Sequence, residues 1–323
     1  MTVKPMKIKL GTRGSPLALR QAEMVREALA LARPEVEVET VVIRTSGDWT
    51  PEQGEGPLER LGGNKGLFAK EIEEQLLAGA IDAAVHSMKD METVLPEGLQ
   101  IAAMLPREDV RDAVILREKN DAIKSLRDLP QGSVIATCSL RRQGMILGMR
   151  PDLKIVSMRG NVGTRLQKLK ENRELAGIVL AVAGLNRLKM DKSISFCASD
   201  FDIVPCAAQG AVGIEIKRNS EGLLSIFGQI NCKRTMLCAS VERAALAGLG
   251  GSCRTPVGVI SVLENNSLRL RMRLVSPDGL QSYEESGALD GAASEGIWQT
   301  SVAEKFGFDM GRRLREKAPL DLL

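Results

Sequence analysis

Leu10-Gly11-Thr12-Arg13-Gly14-Ser15-Pro16-Leu17 is the segment that decides the fold class of this 323-residue chain. A short strand, residues 7–10, runs into this turn, and Ser15-Pro16 then supplies an N-cap and a proline for the first turn of a helix. We predict that this helix continues to about Ala32 and that residues 36–45 form a second strand. A strand that leads through a helix to another strand indicates a parallel α/β unit.

The same order of elements recurs further along the chain. Residues 68–76 carry apolar side chains at helical spacing, and residues 81–85 read as a strand that is buried on both faces. The segment 135–142, Ile-Ala-Thr-Cys-Ser-Leu-Arg-Arg, then repeats the passage from strand through Thr and Ser into a helix. Strands at 133–137, 154–157 and 177–182 and a helix at 162–171 complete a second α/β unit. In such units, ligands bind at the carboxyl ends of the strands.

The chain changes character after Cys232. A helix is predicted over residues 235–247, and a glycine cluster at 248–251 follows it. Alternating strands at 257–262 and 268–275 and a last helix over 292–315 indicate a third, α+β domain.

Composition excludes several classes of protein. Hydrophobic residues make up 44% and charged residues 26%, as in ordinary globular proteins, and the net charge is only +3. No apolar run approaches the length of a membrane span. The six cysteines include no Cys-x-x-Cys pair and His86 is the only histidine, so we expect neither a zinc site nor a disulfide framework. We therefore expect a reduced, intracellular protein.

One part of the chain is strongly basic. Residues 141–173 contain nine Lys/Arg and two Asp/Glu. Arg13, Arg141, Arg142, Arg159 and Arg165 stand at turns or in first helical turns, where the helix dipole favours anions rather than cations. A ligand with several carboxylates would suit this arrangement. A solvated helix face or ion pairs between domains would explain it equally simply.

Two other segments contain candidate functional groups. His86-Ser87-Met88-Lys89-Asp90 stands at the carboxyl end of a buried strand, but on its own Asp90 is more typical of a cap or an ion pair, and His86 of a packed side chain. Cys253 follows two glycines in the segment 250–256, with no histidine nearby for a Cys-His dyad. Taken singly, Cys253 reads as an inert loop cysteine.

Together these segments resemble the porphobilinogen deaminase (hydroxymethylbilane synthase) family over essentially the whole chain. The matching stretches are residues 11–19, 65–71, 85–90, 106–113, 139–143, 159–162, 180–188, 209–215 and 251–256. The resemblance implies an α/β fold with two type II periplasmic-binding-protein-like domains, 1–105 plus 206–228 and 106–205, and a small α+β domain, 229–323. It also implies a transferase of tetrapyrrole and haem biosynthesis. Such an enzyme condenses four porphobilinogen molecules head to tail with loss of ammonia, and releases hydroxymethylbilane by hydrolysis.

The resemblance also implies a role for particular residues. A dipyrromethane cofactor, the primer, is joined by a thioether to Cys253, and Asp90 is the catalytic carboxylate that steadies the cation left by ammonia and transfers protons. Further cofactor-binding residues would be Ser87, Lys89, Thr137, Ser139, Arg141, Arg142, Arg159 and Gln209. Substrate-binding residues would be Arg13, Lys65, Phe68, Arg165 and Arg187. The family needs no metal.

The family likeness carries expectations about partners and location too. The substrate would be porphobilinogen, with no nucleic acid and no membrane as partner. We expect a monomer that hands its product to uroporphyrinogen III synthase. The location would be the cytoplasm, or a plastid if a targeting segment has been removed.

The chain departs from the family pattern at several places, one of which is Arg60, in place of a lysine of the loop that follows. Gly62-Gly63-Asn64-Lys65-Gly66 is one residue longer than the usual Gly-Gly-Lys-Gly. Ala208 stands where many members have glycine before Gln209, and Cys206 has no assigned role. Two rival functions remain from the residues alone: a solute-binding receptor, and a module that binds RNA or polyphosphate through residues 141–173.

Overall fold

The computed structural model describes residues 6–46, 69–252, 255–294, 297–319 and 322. Contacts between Cα atoms divide them into two compact units. The first contains the described residues of Met1–Asp48 and Asn64–Glu108, together with Ala211–Met236. The second contains Asp109–Gly210 and the described residues of Leu237–Leu323.

The described residues form fifteen strands and eight α-helices. The strands are β1 (Met6–Arg13), β2 (Val36–Ile43), β3 (Ala83–Ser87), β4 (Leu99–Met104), β5 (Asp112–Leu116), β6 (Val134–Ala136), β7 (Lys154–Val156), β8 (Leu175–Ala181), β9 (Phe196–Cys197), β10 (Val212–Lys217), β11 (Val257–Glu264), β12 (Ser267–Val275), β13 (Ser282–Asp290), β14 (Ala293–Ser294) and β15 (Ile297–Trp298). The helices are α1 (Pro16–Ala32), α2 (Lys70–Ala78), α3 (Leu140–Met149), α4 (Val162–Glu171), α5 (Val182–Arg187), α6 (Glu221–Gly228), α7 (Lys233–Leu249) and α8 (Thr300–Lys317).

Each unit contains a five-stranded sheet of the same design. The strand order is β2-β1-β3-β10-β4 in the first unit and β7-β6-β8-β5-β9 in the second. The first three strands of each sheet are parallel, and the fourth runs antiparallel to both of its neighbours. In both sheets that reversed strand is the first one after the chain has changed units. The repeat seen in the sequence is confirmed, because β1 and β6 hold the two similar segments and occupy equivalent places.

Local signals at the start of the chain act as predicted. The Ser15 hydroxyl accepts a hydrogen bond from the Ala18 amide (3.3 Å), and Pro16 occupies the first helical position of α1. Ile8 and Leu10 of β1 are fully buried in a core that also contains Phe227. Ala22, Val25 and Leu29 of α1 belong to the same core and fix the helix against β1.

The second unit also carries a smaller sheet, β11-β12-β13, which is covered by α7 and α8. A Cβ atom on Gly311 of α8 would lie 2.0 Å from the Ala245 carbonyl oxygen of α7. Only glycine allows the two helix backbones to approach so closely. The predicted fold class is confirmed as two α/β parts, each with a five-stranded sheet, and a small additional three-stranded sheet. The three-domain boundaries remain a prediction.

The prediction for the last helix was wrong at its start. The helix begins at Thr300, not at Ala292. The Ala292 amide donates to the Asn266 carbonyl (3.1 Å), and the Ala292 carbonyl accepts from the Gln299 amide (3.2 Å), so its backbone is engaged in pairing rather than in helical bonds. Strand β13, which precedes this segment, was not predicted. Its residues alternate between half-buried and exposed and include few large apolar side chains.

Ala208 occupies a backbone conformation that favours glycine. Its φ angle is +57°, and its side chain is fully buried. Its amide donates to the buried carboxylate of Glu242 at 2.7 Å, which holds the segment in place. The departure from the family pattern at this position therefore imposes strain.

We predict that Ala208→Gly raises the free energy of unfolding by about 1 kcal/mol, because an L-residue in the left-handed region costs roughly that amount. Thermal melts should show an increase in Tm of about 2 °C. Ala207→Gly is the matched control, since Ala207 is also buried but has no positive φ. It should lower the Tm. A lower Tm for Ala208→Gly as well would show that the strain is negligible.

Candidate active site

A small pocket of about 70 Å³ lies in the first unit, at the carboxyl ends of β1 and β3. These strands are parallel neighbours, so residues that follow them meet at one edge of the sheet. The polar part of the pocket wall comes from Arg13, Ser15, Gln21, His86, Ser87 and Asp90. Two segments that the sequence singled out, 10–17 and 86–90, are thus brought together.

The position of Asp90 depends on the backbone directly after β3. A 3₁₀ turn, Met88–Asp90, continues from the strand and brings the half-buried Asp90 to the pocket. Met88 is buried against β10, where a Cβ on Gly213 would lie 2.0 Å from its Sδ atom. Its amide donates to the Ala211 carbonyl at 3.1 Å. The turn is therefore held by both side chain and backbone, and Asp90 with it.

Gln21 is a pocket residue that the sequence analysis did not identify. Its Nε2 atom lies 2.8 Å from the Ser87 hydroxyl, and that hydroxyl lies 3.1 Å from its Oε1 atom. Gln21 shares the buried face of α1 with Val25 and Leu29, at spacings of four and eight residues. A polar side chain within an apolar helical stripe was the signal that could have identified it.

His86 is packed, as the simple interpretation expected, but it also has an ionisable partner. Its Nε2 atom lies 3.0 Å from Oε2 of Glu215 on β10, and both side chains are almost fully buried. His86 contributes to the pocket wall as well. Glu215 was missed, although an acid inside the apolar run Val-Gly-Ile-Glu-Ile is unusual enough to draw notice.

In the second unit, Arg141 and Arg142 share one buried carboxylate. Arg141 Nη2 donates to Asp112 Oδ2 at 2.8 Å, and Arg142 Nη2 donates to Asp112 Oδ1 at 2.6 Å. Gln209 Nε2 also donates to Asp112 Oδ1, at 3.0 Å. Burial alone would raise the pKa of Asp112, but the two guanidinium charges and these hydrogen bonds hold it well below its ordinary value. Both arginines thus form ion pairs within their own unit.

Carbonyl groups complete this cluster. Arg141 Nη1 donates to the Val204 carbonyl (2.6 Å), and Arg142 Nη1 donates to the Val179 carbonyl (3.0 Å). Since each guanidinium joins different backbone segments, the cluster fixes the start of α3 against the rest of the unit. Asp112 was missed as a partner, although it is an acid at the head of an apolar strand.

The other predicted residues of the second unit lie where its strands end. Thr137 follows β6, and its hydroxyl accepts from the Ser139 amide (3.2 Å), while the Ser139 hydroxyl caps α3. Arg165 Nε donates to the Gly160 carbonyl (2.7 Å), and Arg187 Nη2 donates to the Gly210 carbonyl (2.6 Å). Arg159 is buried just past β7. Strands β6, β7 and β8 are parallel neighbours, so these groups share one edge of the sheet.

Several predicted site residues lie outside the described residues, namely Lys65, Phe68 and Cys253, as does the segment around Asn64. Lys89 is described and half-buried in the 3₁₀ turn beside Asp90. Among the described residues, no cluster of His, Cys, Asp and Glu could hold a metal ion. No helix in the described part of the chain is both long and apolar enough to cross a membrane.

We predict that Asp112→Asn lowers the free energy of unfolding by about 3 kcal/mol, because two guanidinium groups lose the buried charge that they share. The pKa of Asp112 is depressed in the folded state, so its stabilising effect is complete above about pH 4 and declines as the pH falls further. Urea unfolding should therefore show a constant loss between pH 5 and 8 and a smaller one at pH 3. The exposed Asp121→Asn is the control. Equal stability of the Asp112 variant and the wild type at pH 7 would contradict the prediction.

The family models and the curated relatives that match this chain carry the same family name. The family model "Porphobilinogen deaminase, dipyromethane cofactor binding domain" matches residues 8–225, and "Porphobilinogen deaminase, C-terminal domain" matches residues 236–316. The porphobilinogen deaminase of Nitrobacter hamburgensis is 46% identical over 312 residues, 96% of this chain and 93% of that protein. The chloroplastic porphobilinogen deaminase of Oryza sativa subsp. japonica is 42% identical over 316 residues, 96% of this chain and 84% of that protein.

Solved structures give weaker likenesses. Substrate-binding domain 2 of Lactococcus lactis GlnP aligns with a TM-score of 0.45 at 12% identity, covering 77% of this chain and 93% of that one. An arginine-specific periplasmic binding protein of Salmonella typhimurium aligns with a TM-score of 0.39 at 17% identity, covering 70% and 91%. The family models and the near-full-length relatives are decisive, and the chain belongs to the porphobilinogen deaminase family.

Proposed function

We propose that Asp90 is the catalytic carboxylate with which this chain carries out the reaction of its family, the stepwise condensation of porphobilinogen with loss of ammonia on a dipyrromethane primer. The observation that supports this most directly is the position of Asp90 in the pocket at the carboxyl ends of β1 and β3. Ligands of α/β sheets bind at such edges.

The chemistry of each addition asks for one well-placed carboxylate. The C–N bond of the aminomethyl group breaks, ammonia leaves, and the substrate is left with a cationic carbon. A carboxylate beside that carbon stabilises the positive charge. Each addition also releases one proton from a pyrrole carbon, and the same carboxylate can accept it. Asp90 is half-buried, so its charge would be only partly screened by water.

Arg13 is the cation that accompanies Asp90 in the pocket wall. Porphobilinogen carries an acetate and a propionate, and a guanidinium group can bind either carboxylate with two parallel hydrogen bonds. We assign Arg13 to substrate binding. Ser87 at the end of β3 and Lys89 in the 3₁₀ turn after it are assigned to the cofactor, as the family pattern implies. Arg165 and Arg187 are assigned to further substrate carboxylates, and Lys65 and Phe68 remain assigned to substrate from the family pattern.

The residues of the second unit suit a cofactor with several carboxylates. Two guanidinium groups share the single carboxylate of Asp112, so the cluster holds one more positive than negative charge. The Nε atom of Arg142 is buried and has no hydrogen-bond partner among the described residues. An excess of positive charge with an unused donor favours an anionic ligand. Arg141, Arg142 and Arg159 would hold carboxylates of the dipyrromethane, with Thr137, Ser139 and Gln209 as neutral donors.

Cys253 would carry the dipyrromethane through a thioether. The described residues on its two sides are well anchored: the Ser252 amide donates to the Thr255 hydroxyl at 2.9 Å, and the Thr255 amide donates to the Ser252 carbonyl at 3.1 Å. Gly250, whose φ angle is +77°, directly follows Leu249, the last residue of α7. When bound, the dipyrromethane supplies the pyrrole to which substrate units are added. The protein residues orient it and neutralise its carboxylates.

The domain boundaries, the oligomeric state, the location and the fate of the product are also proposed from the family likeness. We propose three domains with the boundaries 1–105 plus 206–228, 106–205 and 229–323. We further propose that the chain acts as a monomer in the cytoplasm or in a plastid, without nucleic acid or membrane as partner. Its product, hydroxymethylbilane, would pass to uroporphyrinogen III synthase.

We predict that protein purified from a host that makes porphobilinogen has an intact mass greater than that of the chain by one dipyrromethane. Cys253→Ala should have the unmodified mass, because it lacks the sulfur that forms the thioether. Cys232→Ala, which removes a different cysteine, should retain the added mass. A mass addition that survives in Cys253→Ala would remove that residue from its role as anchor.

We predict that Asp90→Asn retains the covalent dipyrromethane but lowers kcat by at least about two orders of magnitude, the usual contribution of a proton-transferring group. The amide keeps the shape of the side chain but can neither balance a cation nor take up a proton. Single-turnover assays and intact mass together separate assembly from turnover. Near-normal kcat in a variant with the cofactor attached would exclude Asp90 from the catalytic role.

A further inference from the structure

Three ionisable side chains lie at or next to the Asp90 pocket and have no role in the scheme above. Glu215 is fully buried; its Oε2 atom lies 3.0 Å from His86 Nε2, and its Oε1 atom has no hydrogen-bond partner among the described residues. In the sheet register, Gly213 faces His86 and Glu215 faces Ala84, so the two side chains lie on the same face of adjacent strands. His86 itself contributes to the pocket wall.

Glu73 of α2 adds a second buried carboxylate to this face. Helix α2 packs against β3 and β10, the strands that carry His86 and Glu215. Ala69, four residues before Glu73 and therefore on the same helical face, contributes to the pocket wall. Glu73 is thus about one helical turn, roughly 6 Å along the axis, from that wall.

The charges of this cluster do not balance without an additional proton. Two ionised carboxylates beside a single histidine would leave at least one buried negative charge without a partner, which is costly. Burial raises the pKa of Glu73 to about 7; the charges of Glu215 and Glu92 raise it as well, whereas His86 lowers it. Charged groups also occur on the neighbouring segments: Lys7, Lys9 and Arg13 on β1, Lys70, Glu71 and Glu74 on α2, Lys89 and Asp90 in the 3₁₀ turn with Glu92 after it, and Lys217 on β10.

We propose that Glu73, Glu215 and His86 form a buried ionisable cluster that supports the Asp90 pocket, and that ionisation of Glu73 weakens the binding of carboxylate-bearing substrate. His86 is the positioning residue that joins the cluster to the pocket. The proposal rests on the proposed function, because it takes the Asp90 pocket as the place where porphobilinogen binds.

The pH dependence of thermal stability tests the ionisation of Glu73 independently of enzyme activity. Because the pKa of Glu73 is raised in the folded protein, its favourable contribution is complete below about pH 4.5 and is lost as the pH rises through about 7. The Tm of Glu73→Gln relative to wild type should therefore increase between pH 5.5 and 8.5, by a few degrees. Glu74→Gln, an exposed neighbour on α2, is the control and should give a difference that does not change with pH. A constant difference for Glu73→Gln would overturn the proposal.

The dependence of KM on pH tests the link to the pocket. In the wild type, KM for porphobilinogen should rise about three- to ten-fold from pH 6 to 8.5, as expected for one buried charge about 10 Å from a carboxylate. Glu73→Gln should flatten this rise, with kcat at pH 6 unchanged, whereas Glu74→Gln should follow the wild type. Parallel KM profiles for wild type and Glu73→Gln would overturn the link. Failure of the proposed function would be visible separately, as normal kcat in Asp90→Asn, and would leave the Tm result intact.

Discussion

The carboxylate of Asp112 is the group on which the second unit depends. It begins β5 and accepts hydrogen bonds from Arg141 and Arg142 in the first turn of α3 and from Gln209. Through the same two arginines it is connected to the carbonyl groups of Val179 and Val204. A charge that is fully buried must be paired to be tolerated, and here each partner brings a different backbone segment with it. The basic region of the sequence is therefore not a solvated surface at these positions, because its first two arginines are part of the interior.

A different constraint organises the first unit. The reversed strand β10 comes so close to the segment after β3 that only glycine at position 213 leaves room for Met88. That close packing holds the 3₁₀ turn, and the turn determines where Asp90 lies. A residue with no functional group of its own thus decides the position of the proposed catalytic group. The family likeness drew attention to the motif Val-Gly-Ile-Glu. In this motif, Gly213 leaves room for Met88, and Glu215 places a carboxyl group next to His86.

The sequence predicts the elements whose signals are local. Ser15-Pro16 and Ser139 begin helices as expected, and the repeated strand–Thr–Ser–helix segment occupies equivalent places in the two sheets. Prediction from the sequence fails where pairing between distant segments determines the structure. Strand β13 has little apolar periodicity and forms by pairing with β12. Helix α8 starts eight residues later than predicted. The same holds for the candidate site. Asp90 and the arginines were identified through family motifs. The roles of Asp112, Gln21 and Glu215 become visible only from their hydrogen-bond partners, which are between 29 and 129 residues away in the sequence.

The two units differ in the partners of their buried acids: arginines in the second unit and a histidine in the first. This difference fits two requirements of the reaction, retention of a polycarboxylate and transfer of protons. The second unit surrounds one acid, Asp112, with two permanent cations that cannot lose their protons under physiological conditions, so its excess charge is fixed and suits carboxylates of constant charge. The first unit instead places the buried acid Glu215 against His86, and burial raises the pKa of Glu73 on the adjoining helix α2 to about 7. A growing chain of carboxylate-bearing pyrroles has to be retained through every cycle, which requires fixed charge. Each cycle also releases a proton, for which Asp90 is the proposed acceptor. Separating these tasks allows the proton balance near Asp90 to vary while the charge that retains the polycarboxylate stays constant.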